Sequence, residues 1–254
     1  MATTISSITR QGAFEPFGLQ VSRNQIQGHE AVIVFGYNAD IDTSEETIWP
    51  DGGLIPHPTV ASVLDIVSTS ADDDGSPAGT GARTVYIEGV DGDYNVVSET
   101  VTLNGTSNVS TVEEYLYINK FYVATAGSGG SNVGAITAKL SSTLYDIIAV
   151  GYNTRTTAHY CVPAGYTGYM VTGLITTGQV SGSTSVTAYL KQHGPDGILR
   201  VGAVSTLNNG SVKYDFDPAY VIPEKNCVGA SAIGSAANNS ASAYFNIILI
   251  KNGP

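Results

Sequence analysis

Little in this chain of 254 residues is arranged for chemistry. Cysteine is nearly absent: Cys161 and Cys227 are the only two. They are too few for the disulfide framework of a small secreted domain and lack metal-ligand spacing. Their strand-like surroundings make buried free thiols the default expectation, and the sequence leaves a single bridge between them open. The four histidines, His29, His57, His159 and His193, show no His-Glu-x-x-His or other paired spacing. Each reads as a surface or turn residue, since a metal needs three convergent ligands. The Gly-x-Ser-x-Gly elbow of an α/β-hydrolase is missing. Carboxylates are plentiful, but no local pattern marks a glycosidase pair. The expectation is therefore a non-enzyme with no catalytic residues, no metal and no cofactor.

Long apolar runs are missing as well. Uninterrupted ones such as Ile247 to Ile250 are far short of the ~20 residues that span a bilayer. The opening Met-Ala-Thr-Thr-Ile-Ser-Ser-Ile-Thr-Arg lacks the apolar core of a signal peptide. Synthesis in a cytosol and no membrane partner are expected. Charged residues make up only 13% of the chain, and the strong helix formers Glu, Lys, Leu and Arg give way to Gly, Ser, Thr, Ala and Val. That mix suits short strands and tight turns. The net charge of −11 is uneven: residues 1–140 carry 17 acidic and 5 basic side chains (−12), residues 141–254 carry 5 and 6 (+1). An acidic front half opposes a phosphate backbone, so nucleic acid is not an expected partner.

What is present is organised around residues 80–103. Val85 and Ile87 fall on one face of a first arm, with Thr84, Tyr86 and Glu88 opposite. Val101 and Leu103 share a face of the second. Alternation in Val, Ile, Thr and Tyr predicts half-buried strands. Val90-Asp-Gly-Asp-Tyr-Asn95 joins them, Asp91-Gly92 supplying the positive φ of a hairpin turn. Residues 1–28 are polar with isolated Phe14 and Phe17, and read as an arm that docks elsewhere or as an edge strand. Clear strands follow at 31–37 and 63–68, with a turn at Trp49-Pro-Asp-Gly-Gly53.

The Asp72-Asp73-Asp74 run reads as a solvated loop tip, because it lacks the alternating ligands and closing Glu of an EF-hand. At 111–123, helix and strand compete: Ser110 with Glu113 fits a capping box, while the residues from Tyr115 onward favour a strand. The Gly-rich 127–134 segment lacks a P-loop ending and reads as a flexible connection. The first domain closes near 141–143, and eight strand-like runs follow, from 144–152 to 241–250. They suggest a two-sheet sandwich of jelly-roll type. Its last run, apolar on both faces, is expected to be a central strand or one packed on a partner subunit. The fold class is all-β: an N-terminal arm or edge strand (1–28), an acidic β-sandwich (29–143) and a jelly-roll-like β-sandwich (144–254). Fifteen tyrosines against six phenylalanines suit sheet faces, and equally stacking or interface platforms.

Several phrases carry a family resemblance: Thr80-Gly-Ala-Arg-Thr84, Gly89-Val-Asp-Gly-Asp-Tyr-Asn95, Ser98-Glu-Thr-Val-Thr-Leu-Asn-Gly105, the Ala126 to Gly134 loop, Val162-Pro-Ala-Gly165 and Pro223-Glu-Lys225. In these the chain resembles β-rich virion structural proteins, of the capsid decoration (cement) type, from tailed bacteriophages of marine bacteria. The resemblance covers most of the chain. It implies a homotrimer on the outer capsid surface, synthesised in the host cytoplasm, with the major capsid protein as partner. Arg10, Phe14, Phe17 and Arg23 are then the expected capsid-docking residues. The rival expectation is a tail- or head-fibre component that binds a host receptor or glycan, since sandwiches host lectins as readily.

Overall fold

The computed structural model describes residues 15–178 and 184–253. The strand-forming runs have become antiparallel sheets, and the chain is almost all β. Helix is confined, among the described residues, to one short element, α1 (Phe17–Ser22), which follows Pro16 and buries Val21. After it come β1 (His29–Ile41) and the two-residue β2 (Glu46–Thr47). A set of seven strands follows: β3 (Ser62–Ser68), β4 (Ala82–Val90), β5 (Val96–Thr102), β6 (Val109–Tyr115), β7 (Tyr117–Ala126), β8 (Ile136–Leu140) and β9 (Thr143–Ile148). The rest of the chain is β10 (His159–Cys161), β11 (Tyr166–Gly178), β12 (Val186–His193), β13 (Arg200–Leu207), β14 (Gly210–Ile222), β15 (Cys227–Gly234) and β16 (Asn239–Lys251).

The seven-strand set forms two sheets, β6-β3-β8-β9 and β5-β4-β7. One core joins them, in which Leu64, Ile66 and Ile136 meet Val85, Ile87 and Phe121. The expected hairpin is present, with Val85 opposite Val101, but its turn works differently. The left-handed residue is Tyr94 (φ 67°), not Gly92. The Asp91 carboxylate accepts the backbone N–H of Asp93 and of Asn95, both at 2.8 Å. The strain of an αL tyrosine, about 1–2 kcal/mol, is offset by burial of its ring in a separate small cluster with Leu116, Tyr117, Cys161 and Cys227. Residues 109–115 are strand throughout, so the capping-box expectation at Ser110 and Glu113 fails. Alternation paired against β3 prevails over a local helix signal.

Two loops expected to be loose are fastened. Asp73 is completely buried. Its Oδ1 accepts the N–H groups of Ala82 (2.8 Å) and Val133 (2.9 Å), and its Oδ2 accepts the Gly134 N–H (2.8 Å) and the Ser68 hydroxyl (2.6 Å). The aspartate run is thus no solvated tip, and the Gly-rich segment is no free connection. Glycine is required here by closeness: a Cβ on Gly81 would lie 2.1 Å from Asp73 Oδ1, and one on Gly134 2.5 Å from the Ser70 nitrogen.

The remaining strands form the sheets β1-β16-β11-β14 and β10-β15-β12-β13, with β2 added on β15. Val34, Met170, Phe245 and Ile247 of one sheet share a core with Tyr160, Leu190 and Val228 of the other. β16 lies between β1 and β11, the central place its two-sided apolar character predicts. Strand membership departs from expectation at both boundaries. β1 pairs along its length with β16, from His29 opposite Ile250 to Ile41 opposite Asn239. β9, across the expected boundary near 143, pairs with β8. The seven-strand set is therefore an insertion in the connection between β2 and β10.

At the junction of the two sets, Asn119 of β7 donates to the Cys161 carbonyl (2.8 Å) and accepts the Cys161 N–H (2.9 Å). The Ala164 N–H donates to the Tyr94 carbonyl at 2.9 Å. Cys161 and Cys227, opposite one another on β10 and β15, form a disulfide. This overturns the expectation of free thiols, because the antiparallel register brings together residues 66 apart in sequence. A Cys161→Ala/Cys227→Ala pair is expected to lower the unfolding free energy by about 2–4 kcal/mol, measured by urea denaturation. An unchanged midpoint would show that the bridge adds nothing to this junction.

Candidate functional site

Alternation on three neighbouring strands builds the site. On β10, Tyr160 enters the shared core, which turns His159 and Cys161 to the opposite face. On β12, Val186, Ala188 and Leu190 enter the core, so Lys191 and His193 bracket the last inward position. On β15, Val228 and Ala230 point inward, leaving Cys227, Gly229 and Ser231 on the far side. The register sets His159, Gly229 and Lys191 in one row and Cys161, Cys227 and His193 in the next. Having no side chain, Gly229 leaves room between them: a Cβ there would lie 3.3 Å from the His159 ring.

The segment after β2 lays a third imidazole over this face. Trp49 is buried and its indole N–H donates to the Gly52 (2.9 Å) and Gly53 (3.1 Å) carbonyls. Both glycines have positive φ, at 75° and 67°, which closes the expected turn. Ile55 is then tied back through its N–H to the Thr47 hydroxyl at 2.9 Å, and His57 follows. Its ring lies 4.4 Å from that of His193 and 6.4 Å from that of His159. One donor atom from each of the three imidazoles lies within 4.8 Å of the others. Tyr117 of β7 flanks the group, its ring 5.3 Å from His159 and 5.6 Å from His193.

His159 is 2% exposed and His193 4%. Both His159 ring nitrogens and the His193 Nε2 are buried without a hydrogen-bond partner. The His193 Nδ1 faces the Gly194 carbonyl at 3.4 Å, an orientation that leaves Nε2 with the lone pair. Burial disfavours the charged imidazolium and lowers the pKa of all three, reinforced at His57 and His159 by the neighbouring His193. His57 falls to about 4 and His159 well below the usual histidine range. Neutral imidazoles with free lone pairs are the form that coordinates a metal. Beside them a cavity of about 50 Å³ is lined by Thr47, Ile55, Ala230 and Ser231. At its mouth Lys191 pairs with Glu45, whose Oε1 also accepts the Ser231 hydroxyl.

His159 and His193 are buried strand residues, against their reading as surface or turn positions, and the exposed His57 converges on them from its loop. Positions 57, 159 and 193 carry no shared spacing, and the only local signal was a histidine alternating with core residues on β10. The fourth, His29, is elsewhere, against Phe17 with ring centroids 5.9 Å apart. Of the residues expected to dock on a capsid, Arg10 and Phe14 lie outside the described residues. Phe17 is 51% exposed on α1, and Arg23 pairs with Glu15. No helix among the described residues is long and apolar enough to cross a membrane.

By sequence, the chain matches no protein-family profile and no curated protein. Among solved structures it is similar to the VP2 subviral particle of infectious bursal disease virus (9% identity, TM-score 0.25, 89% of this chain and 73% of that chain). The Gx strain of that virus gives 13% identity and a TM-score of 0.22 over 89% and 72%. Likeness at these scores carries no argument about what the chain does.

Proposed function

We propose that the chain is a non-catalytic structural protein of a bacteriophage particle, a decoration (cement) protein that trimerises on the outer capsid surface and binds the major capsid protein. The observation that carries this reading is strand order. The sheets β1-β16-β11-β14 and β10-β15-β12-β13 share one core, and that order supports a jelly-roll reading, a two-sheet fold used by capsid proteins. The seven-strand set is a second sandwich inserted in it. The phrases that carry the resemblance to phage decoration proteins lie on β4, β5 and the turns and tied loops of that insertion, and on the junction. Fold by itself does not choose among jelly-roll functions, so exposed surface supplies the second support.

β13 and β14 end their sheets. Ile198 and Leu199 precede them, and with Val201, Val204 and Val221 they expose large apolar side chains. Edge strands of this kind favour association with another chain. Phe17, half exposed on α1, is a docking anchor whose burial against the shell contributes about 1.5–3 kcal/mol, repeated over a trimer. Cryo-electron microscopy of the particle tests the reading. Density for this chain where coat subunits meet on the shell is the expected result, with lower occupancy for Phe17→Glu. Density on the tail or on a fibre overturns it in favour of a receptor- or glycan-binding component.

A further inference from the structure

We propose that His57, His159 and His193 bind one divalent first-row transition ion per chain, with zinc the favoured occupant. The donor set is three neutral imidazoles, which suits zinc, copper, iron or nickel and not calcium or magnesium. The donor atoms already lie within 4.8 Å of one another, and drawing them together brings each to the ~2.0–2.1 Å of a zinc–nitrogen bond. Burial makes the case independently of the clustering. Three ring nitrogens, two on His159 and one on His193, are hidden from water with no hydrogen-bond partner. An ion accepts one lone pair from each histidine, which satisfies the His193 Nε2 and one of the two His159 nitrogens.

The His193 Nδ1 facing the Gly194 carbonyl supplies the outer contact that orients metal-bound histidines. A fourth position opens toward the cavity of about 50 Å³, room for a water or a small anion. Ser231 and the Glu45–Lys191 pair stand beside that opening. The ion bridges three separate pieces of chain: the segment after β2, β10, and the end of β12. It therefore holds the His57 segment onto the sheet against which the inserted strands pack through Tyr117. A second grouping, His159 with Cys161 and Cys227, offers no thiolate while those cysteines are bridged.

The full chain, stripped with chelator and kept free of reductant so that the disulfide stays closed, is titrated with zinc and with cobalt. Binding is read by metal analysis after gel filtration and by the visible band of tetrahedral cobalt. One equivalent per chain is expected, with a metal-dependent rise in melting temperature. His57→Ala, which truncates an exposed side chain outside the sheets, is expected to weaken binding by more than the ~10–100-fold seen when outer contacts alone are lost. His57→Cys restores a ligand and most of the affinity, and His29→Ala changes nothing. Failure of the wild-type chain to retain stoichiometric metal overturns the proposal. Equal affinity in a folded His57→Ala variant, or loss of binding in His29→Ala, does the same.

Discussion

Asp73→Ala is expected to destabilise the protein by roughly 3–6 kcal/mol. The carboxylate is wholly buried and accepts three backbone N–H groups and one hydroxyl. Truncation leaves the N–H groups of Ala82, Val133 and Gly134 without their acceptor, and each buried orphan costs ~1–3 kcal/mol. Water entering the gap recovers part of that, which is why the sum stays below the upper limit. In a chain of this size the melting temperature then falls by on the order of 10 °C. Asp73→Asn is intermediate: one oxygen still serves Ala82 and Val133, but the amide NH₂ opposes the Gly134 N–H. Asp72→Ala is the control, because Asp72 is exposed and surface changes stay within about 0.5 kcal/mol. Thermal and urea denaturation of the three variants decides the matter. Equal stability of Asp73→Ala and Asp72→Ala would refute the assignment of the buried carboxylate as the tie between these loops.

Arg155→Met carries the second large effect, about 3–5 kcal/mol. Asp146 on β9 is fully buried and pairs with Arg155, itself 8% exposed in its side chain. Oδ1 also accepts the Thr157 hydroxyl at 2.7 Å and the Ile147 N–H at 2.8 Å. The guanidinium reaches across the junction to the carbonyls of Asn119 (2.9 Å) and His159 (3.2 Å). Removing it strands a buried carboxylate and unties β9 from β7 and β10. Burial already raises the Asp146 pKa, with Arg155 pulling it back, so the variant lifts it further. A carboxyl whose folded pKa exceeds its unfolded value stabilises most below the unfolded pKa and loses that contribution as pH rises. The deficit of Arg155→Met is therefore expected to shrink as pH falls toward 4 and to be full at pH 7. Adding Asp146→Asn to Arg155→Met should recover part of the loss at neutral pH. Urea titrations at the two pH values, with the double-mutant cycle, test both statements. A deficit independent of pH would mean that lost packing, not an unpaired charge, is responsible.

These two carboxylates and the histidine group mark the line between what the chain states locally and what it does not. Alternation is a property of neighbours, so strands such as β4, β5, β11 and β16 were legible, and so was the central place of β16, apolar on both faces. The hairpin at 82–102 was legible for the same reason, although its left-handed residue fell on Tyr94, where a buried ring compensates the strain. Eight strands were expected in the C-terminal sandwich; seven of them, β10 to β16, pair there, joined by β1 and β2. The eighth, β9, pairs with β8 instead, and β1 takes the edge beside β16, because hydrogen bonding between strands is blind to sequence distance. Asp73 looked solvated because one aspartate among three has no local mark of burial; only the glycine loop folding over it makes it a core residue. Cys161 and Cys227, and His57, His159 and His193, became a disulfide and a donor cluster through the register of β10, β15 and β12 and the path of the Trp49 turn. The sequence by itself determined which segments pair as strands and which face each side chain takes. Only the tertiary structure decided which strands are partners, and hence which distant polar residues share a buried site.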